Sequence, residues 1–414
     1  MKTKGHNLRI DGDRLWASLL DMARIGATPK GGCNRQALTT EDAQGRALFK
    51  AWCEAAGCTV HVDPLGSMFA RRAGLEDLPP ILIGSHLDTQ PTGGKFDGVL
   101  GVLAGLELIR CLNEAGRQTR RPIEIVNWTN EEGCRFSPAM LASAAFAGVL
   151  SQQTVLETRD SNGLVFGDEL ARMDMACTTP LGGREIAAYL ELHIEQGPIL
   201  EAEGYDVGFV TAGQGHRWYD IRLSGFESHT GSTPMPGRRD ALLGAAFLIQ
   251  AVNKLGLAFS PLAVATVGQI QVMPNSRNVI PGEVLLAIDI RHPESAVLET
   301  MDAEVRRIFT ECLAQQKLEG TITEISHCPP VPFDPSILDI IRAEAAALGL
   351  KGRNIVSGAG HDAFHLAKVT PSAMIFTPCR DGISHNEAED ILPHWANDGA
   401  NLLLRSALVL ADTV

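Results

Sequence analysis

Four short stretches of this 414-residue chain carry side chains whose types and spacing suit metal-ion chemistry. In GSHLDTQPTGGKFDG, His86 and Asp88 directly follow an apolar run, and Asp97 comes eleven residues after His86. An imidazole and two carboxylates thus crowd a glycine-rich turn with only Lys95 nearby to neutralise them, and carboxylates gathered without a counter-charge favour a cation. Taken singly, Asp97 before Gly98 reads equally well as a helix cap, and His86 as a loop histidine. In NWTNEEGCRF, Glu131 and Glu132 are adjacent, so their side chains diverge: one carboxylate can hold an ion while its neighbour faces the reacting water. The ordinary alternative is two glutamates complementing the dipole of a helix's first turn. In ELHIEQGP, Glu191, His193 and Glu195 alternate with Leu192 and Ile194, which by itself describes a strand with one wet face. In DGISHNEAED, His385 lies in a loop before an acidic helix start, where an exposed histidine is the default. His361 and His365 of GAGHDAFH have a spacing that a helix could bring to a metal, but no HExxH context accompanies them.

The elements that must position these groups alternate between helix and strand. Leu15, Leu19, Met22 and Ile25 recur at helical spacing, and Thr40 with Glu41 and Asp42 opens a second helix through Trp52 to Ala56. Ile81 to Ile83 and Ile123 to Val126 read as buried strands, separated by an apolar helix from Asp97 to Glu114. Strand, helix, strand implies a crossover and a parallel or mixed sheet with helices on its faces. His86 and Glu131 then sit just past carboxyl ends of strands, where open sheets place their ligands. After Gly213 the texture changes. Tyr219 to Leu223 alternates, Asp240 to Asn253 is helical, Ala263 to Ile270 and Val284 to Ile290 are strand-like, and Val297 to Gln315 is helical. Past Pro329 come a helix (Ile337 to Leu348), a strand (Ala373 to Thr377) and a last helix after Pro393. The expected fold is α/β: a catalytic domain of residues 1–212 and 330–414 with a mixed, mostly parallel sheet flanked by helices, split by an inserted two-layer α+β domain of residues 213–329.

Composition bounds the function. The chain is 45% hydrophobic and 21% charged, as globular proteins are, and its length accommodates two or three domains. A net charge of −13, from 36 basic and 49 acidic residues with no run of Lys or Arg, argues against nucleic acid and anionic lipid as partners. No apolar stretch approaches the roughly 18 to 20 residues of a membrane span, and MKTKGHNLRIDGDR lacks the apolar core of a signal peptide. Nine cysteines without a CxxC pair fit neither a disulfide framework nor a thiolate zinc site. They read as reduced thiols of a cytoplasmic protein.

In order and spacing, His86 with Asp88, Asp97, Glu131 with Glu132, His193 and His385 resemble the dinuclear-metal amidohydrolases related to carboxypeptidase G and aminoacylase. ELHIEQGP, with His193 where the peptidase branch carries Asp or Glu, is similar to the hydantoinase/carbamoylase branch, which contains N-carbamoyl-L-amino acid hydrolase, β-ureidopropionase and allantoate amidohydrolase. The resemblance runs through essentially the whole chain. It implies two divalent ions per subunit bridged by Asp97, with His86 and His193 completing one site and Glu132 and His385 the other. The ions would be Zn²⁺, with Mn²⁺, Co²⁺ or Ni²⁺ as alternatives for an all-nitrogen and oxygen donor set. It further implies Glu131 as general base, Asp88 as the group orienting the His86 ring, and His229 as the oxyanion partner. Gln196 would contact the carbamoyl end, and Asn278 and Arg291 would hold the substrate carboxylate. For Arg291 the ordinary alternative is a salt bridge with Asp289. The insert would serve as lid and as the interface of a homodimer. The implied reaction is hydrolysis of a small anionic N-carbamoyl α- or β-amino acid to the amine, CO₂ and ammonia. Allantoate or ureidoglycolate hydrolysis in purine breakdown is the alternative within the class, and a catalytically silent metal- or ligand-binding relative the alternative outside it.

Overall fold

The computed structural model describes residues 8–175, 177 and 180–413. The first seven residues, part of the segment read above for a signal peptide, lie outside them. In chain order the strands are β1 (Thr59–Val62), β2 (Met68–Arg72), β3 (Ile81–His86), β4 (Ile123–Trp128), β5 (Ala188–Ile194), β6 (Val207–Gly213), β7 (Gly215–Ser224), β8 (Ser228–His229), β9 (Val264–Met273), β10 (Val279–Ile280), β11 (Glu283–His292), β12 (Glu319–Cys328), β13 (Val331–Pro332), β14 (Gly352–Ser357) and β15 (Ser372–Thr377). The chain divides into two compact units, one of Met1–Thr211 with Pro332–Val414 and one of Ala212–Val331.

The first unit is built on a nine-stranded sheet ordered β1-β2-β4-β3-β5-β15-β6-β13, with β14 beside β6. Its middle is parallel, β4 to β3, β3 to β5 and β5 to β15, while β1, β2 and β6 join antiparallel. The mixed sheet is therefore as expected from the strand, helix, strand reading. The helix Val99–Glu114 carries β3 over to β4 and is buried nearly all round, from Val99 to Ile109 without a break. It can be so apolar because the sheet covers one side and helices Gly12–Ala23 and Pro393–Asp412 pack on the other. Each such leucine or isoleucine taken from water contributes about 1.5–3 kcal/mol. The two N-terminal helices start at side-chain caps, Asp11 accepting from the Arg14 N–H and Thr39 from the Asp42 N–H.

The second unit is a four-stranded antiparallel sheet, β12-β7-β11-β9, with helices Ala241–Ala258 and Ser295–Gln316 packed against it. Strand β12 escaped the sequence reading because its side chains are mostly exposed and offer no apolar alternation. Against expectation, one apolar stretch does reach spanning length. Ala241–Ala258 is 18 residues long with mean hydropathy 1.5, apolar enough by length and composition to cross a membrane. Here Ala241, Ala245, Leu248, Val252 and Leu255 recur at three- and four-residue steps, and that stripe is buried in the unit's core.

Candidate metal centre

Because β4, β3, β5 and β15 run parallel, their carboxyl ends open on one edge of the sheet, and all four sequence stretches reach that edge. His86 ends β3 opposite Trp128 of β4, two residues before the turn that holds Asn130, Glu131 and Glu132. His193 lies near the end of β5 opposite Phe376 of β15, and His385 follows β15 in the loop beyond Thr377. Asp97 stands one residue before Gly98, the residue that caps helix Val99–Glu114.

Asp97 is the hub. Its Oδ1 lies 3.1 Å from His193 Nε2 and 3.5 Å from His86 Nε2, and its Oδ2 lies 3.4 Å from His385 Nε2, which is itself 3.3 Å from Glu132 Oε2. Two groups of donors therefore share one carboxylate, His86, Asp97 and His193 on one side and Asp97, Glu132 and His385 on the other, each with ligand atoms within 4.8 Å of one another. Backbone carbonyls set the tautomers: His86 Nδ1 is 2.9 Å from Asp88 O and His193 Nδ1 is 2.9 Å from Ile194 O. Each Nδ1 must carry a proton, so Nε2 is the atom each neutral ring would offer to an ion beside Asp97. Glu131 belongs to neither group, and its Oε2 stands 3.5 Å from His86 Nε2.

Glycine at position 98 is required twice over. Its φ is +67°, and a Cβ there would lie 2.3 Å from His86 Nε2. Gly98→Ala is expected to cost about 1–3 kcal/mol from left-handed strain alone. Denaturant unfolding of the metal-free protein measures that cost apart from any change in ion binding.

Asp88, Asp97 and Glu131 are buried, and Glu132 is nearly so, yet among the described residues none of the four forms an ion pair with Lys or Arg; their charged partners are histidines. The electrostatics follow. Burial opposes charge on both Asp97 and His86, but His193, His385 and His86 hold the Asp97 carboxyl well below the usual range, and Glu131, Asp97 and Asp88 hold the His86 imidazole well above its own. Burial, reinforced by Asp97, pushes Glu132 up to about 7, and burial with Asp362 and Glu132 raises Glu131 well above a normal glutamate. Protons thus stand in for missing positive charge, and that is the condition a divalent ion relieves. Gln196 adds a further sign of fit. Its Nε2 donates to Asp97 Oδ2 at 2.8 Å while its buried Oε1 has no hydrogen-bond partner.

Several local expectations are corrected. Glu131 and Glu132 occupy a non-helical turn, and the next helix begins at Leu141. No helix starts after His385 until Pro393. β5 has no wet face, since Glu191 is as buried as its apolar neighbours. Asp88 orients the His86 ring through its carbonyl oxygen, while its carboxylate accepts the N–H groups of Glu131 at 3.3 Å and Glu132 at 3.2 Å. His361 precedes helix Asp362–Leu366 in extended conformation, so it does not share a helical face with His365. Glu191, His193 and His361 also cluster, but His193 Nε2 already faces Asp97 and its Nδ1 faces Ile194 O, leaving only Glu191 and His361 to hold an ion there.

Residues missed in the sequence reading support the loops from beneath. Buried Arg35 donates from Nε to Leu87 O at 2.8 Å, and buried Arg46 reaches Thr129 Oγ1 at 3.2 Å. Neither lies near a recognisable motif, so only the fold could reveal them.

In the second unit, His229 on β8 pairs with Val279 on β10, and the Thr230 N–H donates to Asn278 O, so His229 and Asn278 are neighbours. His229 Nδ1 accepts the N–H groups of Gly231 at 3.0 Å and Ser232 at 3.2 Å, which leaves Nε2–H as an exposed donor. Arg291 stands on β11 of the four-stranded sheet, its guanidinium forked onto Asp289 with Nη2 2.7 Å from Oδ2. That is the salt bridge named above as its ordinary alternative.

A parallel-sheet edge carrying two donor groups about a shared aspartate defines a candidate metallohydrolase centre, and comparison with known proteins agrees. The chain belongs to peptidase family M20/M25/M40, whose model matches residues 82–408. Over its full length it is 49% identical to the N-carbamoyl-L-amino-acid amidohydrolase of Rhizobium meliloti, which is covered completely. It is 33% identical to the allantoate amidohydrolase of Bacillus subtilis over 89% of this chain and 90% of that one. A crystal structure of an amidase of the hydantoinase/carbamoylase family from Burkholderia multivorans superposes with a TM-score of 0.96 at 53% identity, covering 98% of this chain and 99% of that one. The resemblance drawn from the four stretches is borne out, and the chain is a hydrolase of this metal-dependent family.

Proposed function

We propose that the chain hydrolyses the carbamoyl C–N bond of N-carbamoyl-L-amino acids or N-carbamoyl-β-amino acids, using two divalent ions held by His86, Asp97, Glu132, His193 and His385. The observation that carries this reading is the Asp97 carboxylate, each of whose oxygens faces a separate set of nitrogen and oxygen donors. That donor set suits Zn²⁺, and equally Mn²⁺, Co²⁺ or Ni²⁺. Bound ions would supply Lewis acidity and lower the pKa of a coordinated water. The chain's own groups do the rest. Glu131 takes a proton from the attacking water and returns it to the departing nitrogen. His229, with Nε2–H free to donate, stabilises the oxyanion that forms on the carbonyl. Asn278 and Arg291 take the substrate carboxylate, and Gln196 the carbamoyl end. Water adds to the ureido carbon, the C–N bond to the amino acid breaks, and the released carbamate decays to CO₂ and ammonia. The same reading makes the second unit a lid and the interface of a homodimer, and places the enzyme in the cytoplasm, where its nine cysteines would stay reduced.

The test is ammonia release by metal-loaded protein across N-carbamoyl-α-amino acids, N-carbamoyl-β-amino acids, allantoate and ureidoglycolate. The expected result is the highest kcat/KM on a carbamoyl amino acid. A preference for allantoate or ureidoglycolate would move the enzyme to purine breakdown, and no turnover on any of them would leave a silent relative. Arg291→Lys keeps the charge and loses the fork that now grips Asp289, so KM for carboxylate substrates is expected to rise about 10-fold or more. Steady-state kinetics on the same panel check this, and unchanged KM would remove Arg291 from the substrate site.

A further inference from the structure

We propose that Glu389 is a positioning residue of the metal centre, its carboxylate clasping the loop that carries His385 onto the main chain of Asp97. The inference rests on the metal-binding reading above and adds a residue that the sequence pattern gives no role of its own. Glu389 is 1% exposed. Its Oε1 accepts the N–H of Phe96 at 2.9 Å and of Asp97 at 3.1 Å, and its Oε2 lies 3.1 Å from Ser384 Oγ. Ser384 Oγ is also 2.9 Å from Asp97 Oδ2. One hydroxyl proton thus sits between two carboxylates, and both ends of Glu389 bind the loop and the aspartate together. Among the described residues no Lys or Arg pairs with Glu389, so its partners are these N–H and O–H groups.

The space for this clasp is reserved in the backbone. At Gly94 a Cβ would fall 1.9 Å from the Glu389 carboxyl carbon. Any side chain at position 94 would therefore drive the carboxylate off its two N–H donors.

His385 needs such an anchor. It is exposed and holds a φ of +52°, a conformation that a histidine keeps only when its surroundings impose it. Its loop also has local hydrogen bonds, as from Arg380 N–H to Asp390 O and from Glu389 N–H to Asn386 O, one from Asp381 N–H to Glu201, and one to Ser384 Oγ from Gln196 Nε2, which donates to Asp97 Oδ2 as well. Ser384 and Glu389 are what fix the loop against Asp97, and through it the place where His385 and Glu132 meet Asp97 Oδ2.

Zinc titrations by calorimetry on wild type, Glu389→Ala, Glu389→Gln and Gly94→Ala test the clasp. Wild type is expected to bind two ions. In Glu389→Ala one ion is expected to weaken by about 10- to 100-fold while the other stays within about three-fold, and Glu389→Gln, which keeps an acceptor for both N–H groups, is expected to recover most of the loss. Adding Glu389→Ala to His385→Ala should cost no further affinity, because both changes act on the same ion. If Glu389→Ala does not fold, Gly94→Ala carries the test, since it displaces the carboxylate without removing it. Unchanged affinities, or equal weakening of both ions, would overturn the clasp while leaving the metal centre in place. A wild type that binds no ion would overturn the metal reading itself, and the clasp with it.

Discussion

Glu131→Gln is expected to lower kcat by about 10²- to 10⁴-fold, the usual worth of a positioned general base, with the ion content unchanged. Glutamine has the shape of glutamate and cannot take a proton. Glu131 stands outside both donor groups, 3.5 Å from His86 and buried, so neither group loses a donor atom when its charge is removed. Elemental analysis of the purified variant alongside its kcat separates the outcomes. Wild-type turnover would remove Glu131 from the proton transfer. Loss of an ion would make it a ligand.

The second large effect is expected from Asp97→Asn. An amide presents one oxygen, so either His86 with His193 or His385 with Glu132 must face an NH₂ that cannot ligate. Activity is expected to fall by more than the roughly 10- to 100-fold typical of losing a supporting residue. Stability gives an independent reading. An ion at 100 times its Kd stabilises the native state by about 2.7 kcal/mol, and zinc should raise the unfolding midpoint of wild type accordingly and that of Asp97→Asn by much less. Equal shifts in the two proteins would show that Asp97 holds no ion.

The sequence was legible where chemistry and local physics coincide. His86, Asp97, Glu132, His193 and His385 stand out because histidines and unpaired carboxylates are rare companions of buried apolar strands, and the structure brings all five together. The crossover from β3 to β4 was equally visible, since an unbroken apolar helix between two apolar strands has few other uses. What stayed hidden depends on tertiary neighbours. Glu389 looked like one more acid in DGISHNEAED, and only the approach of the Phe96 and Asp97 N–H groups gives it a task. That Asp88 meets the His86 ring through its carbonyl and not its carboxylate was equally hidden, because a two-residue spacing says nothing about which of them turns toward His86. β12 lacked an apolar face to advertise it, and Ala241–Ala258 concealed its buried stripe among Leu242, Leu243, Ile249 and Leu257, which are exposed on the other side.

The contact between Phe96 and Glu389 joins residues 293 positions apart, and the whole of Ala212–Val331 lies between its two halves. A nascent chain that has just left the ribosome through β6 therefore owns His86, Asp97, Glu132 and His193 but must wait for β15. At about 5–20 residues per second that wait is on the order of ten seconds or more. Until β15 docks, β5 is a bare apolar edge of the kind that recruits other chains into aggregates. Chaperone demand and premature termination should therefore bear hardest on this interval of synthesis, and the donor group of Asp97, Glu132 and His385 is completed only after it.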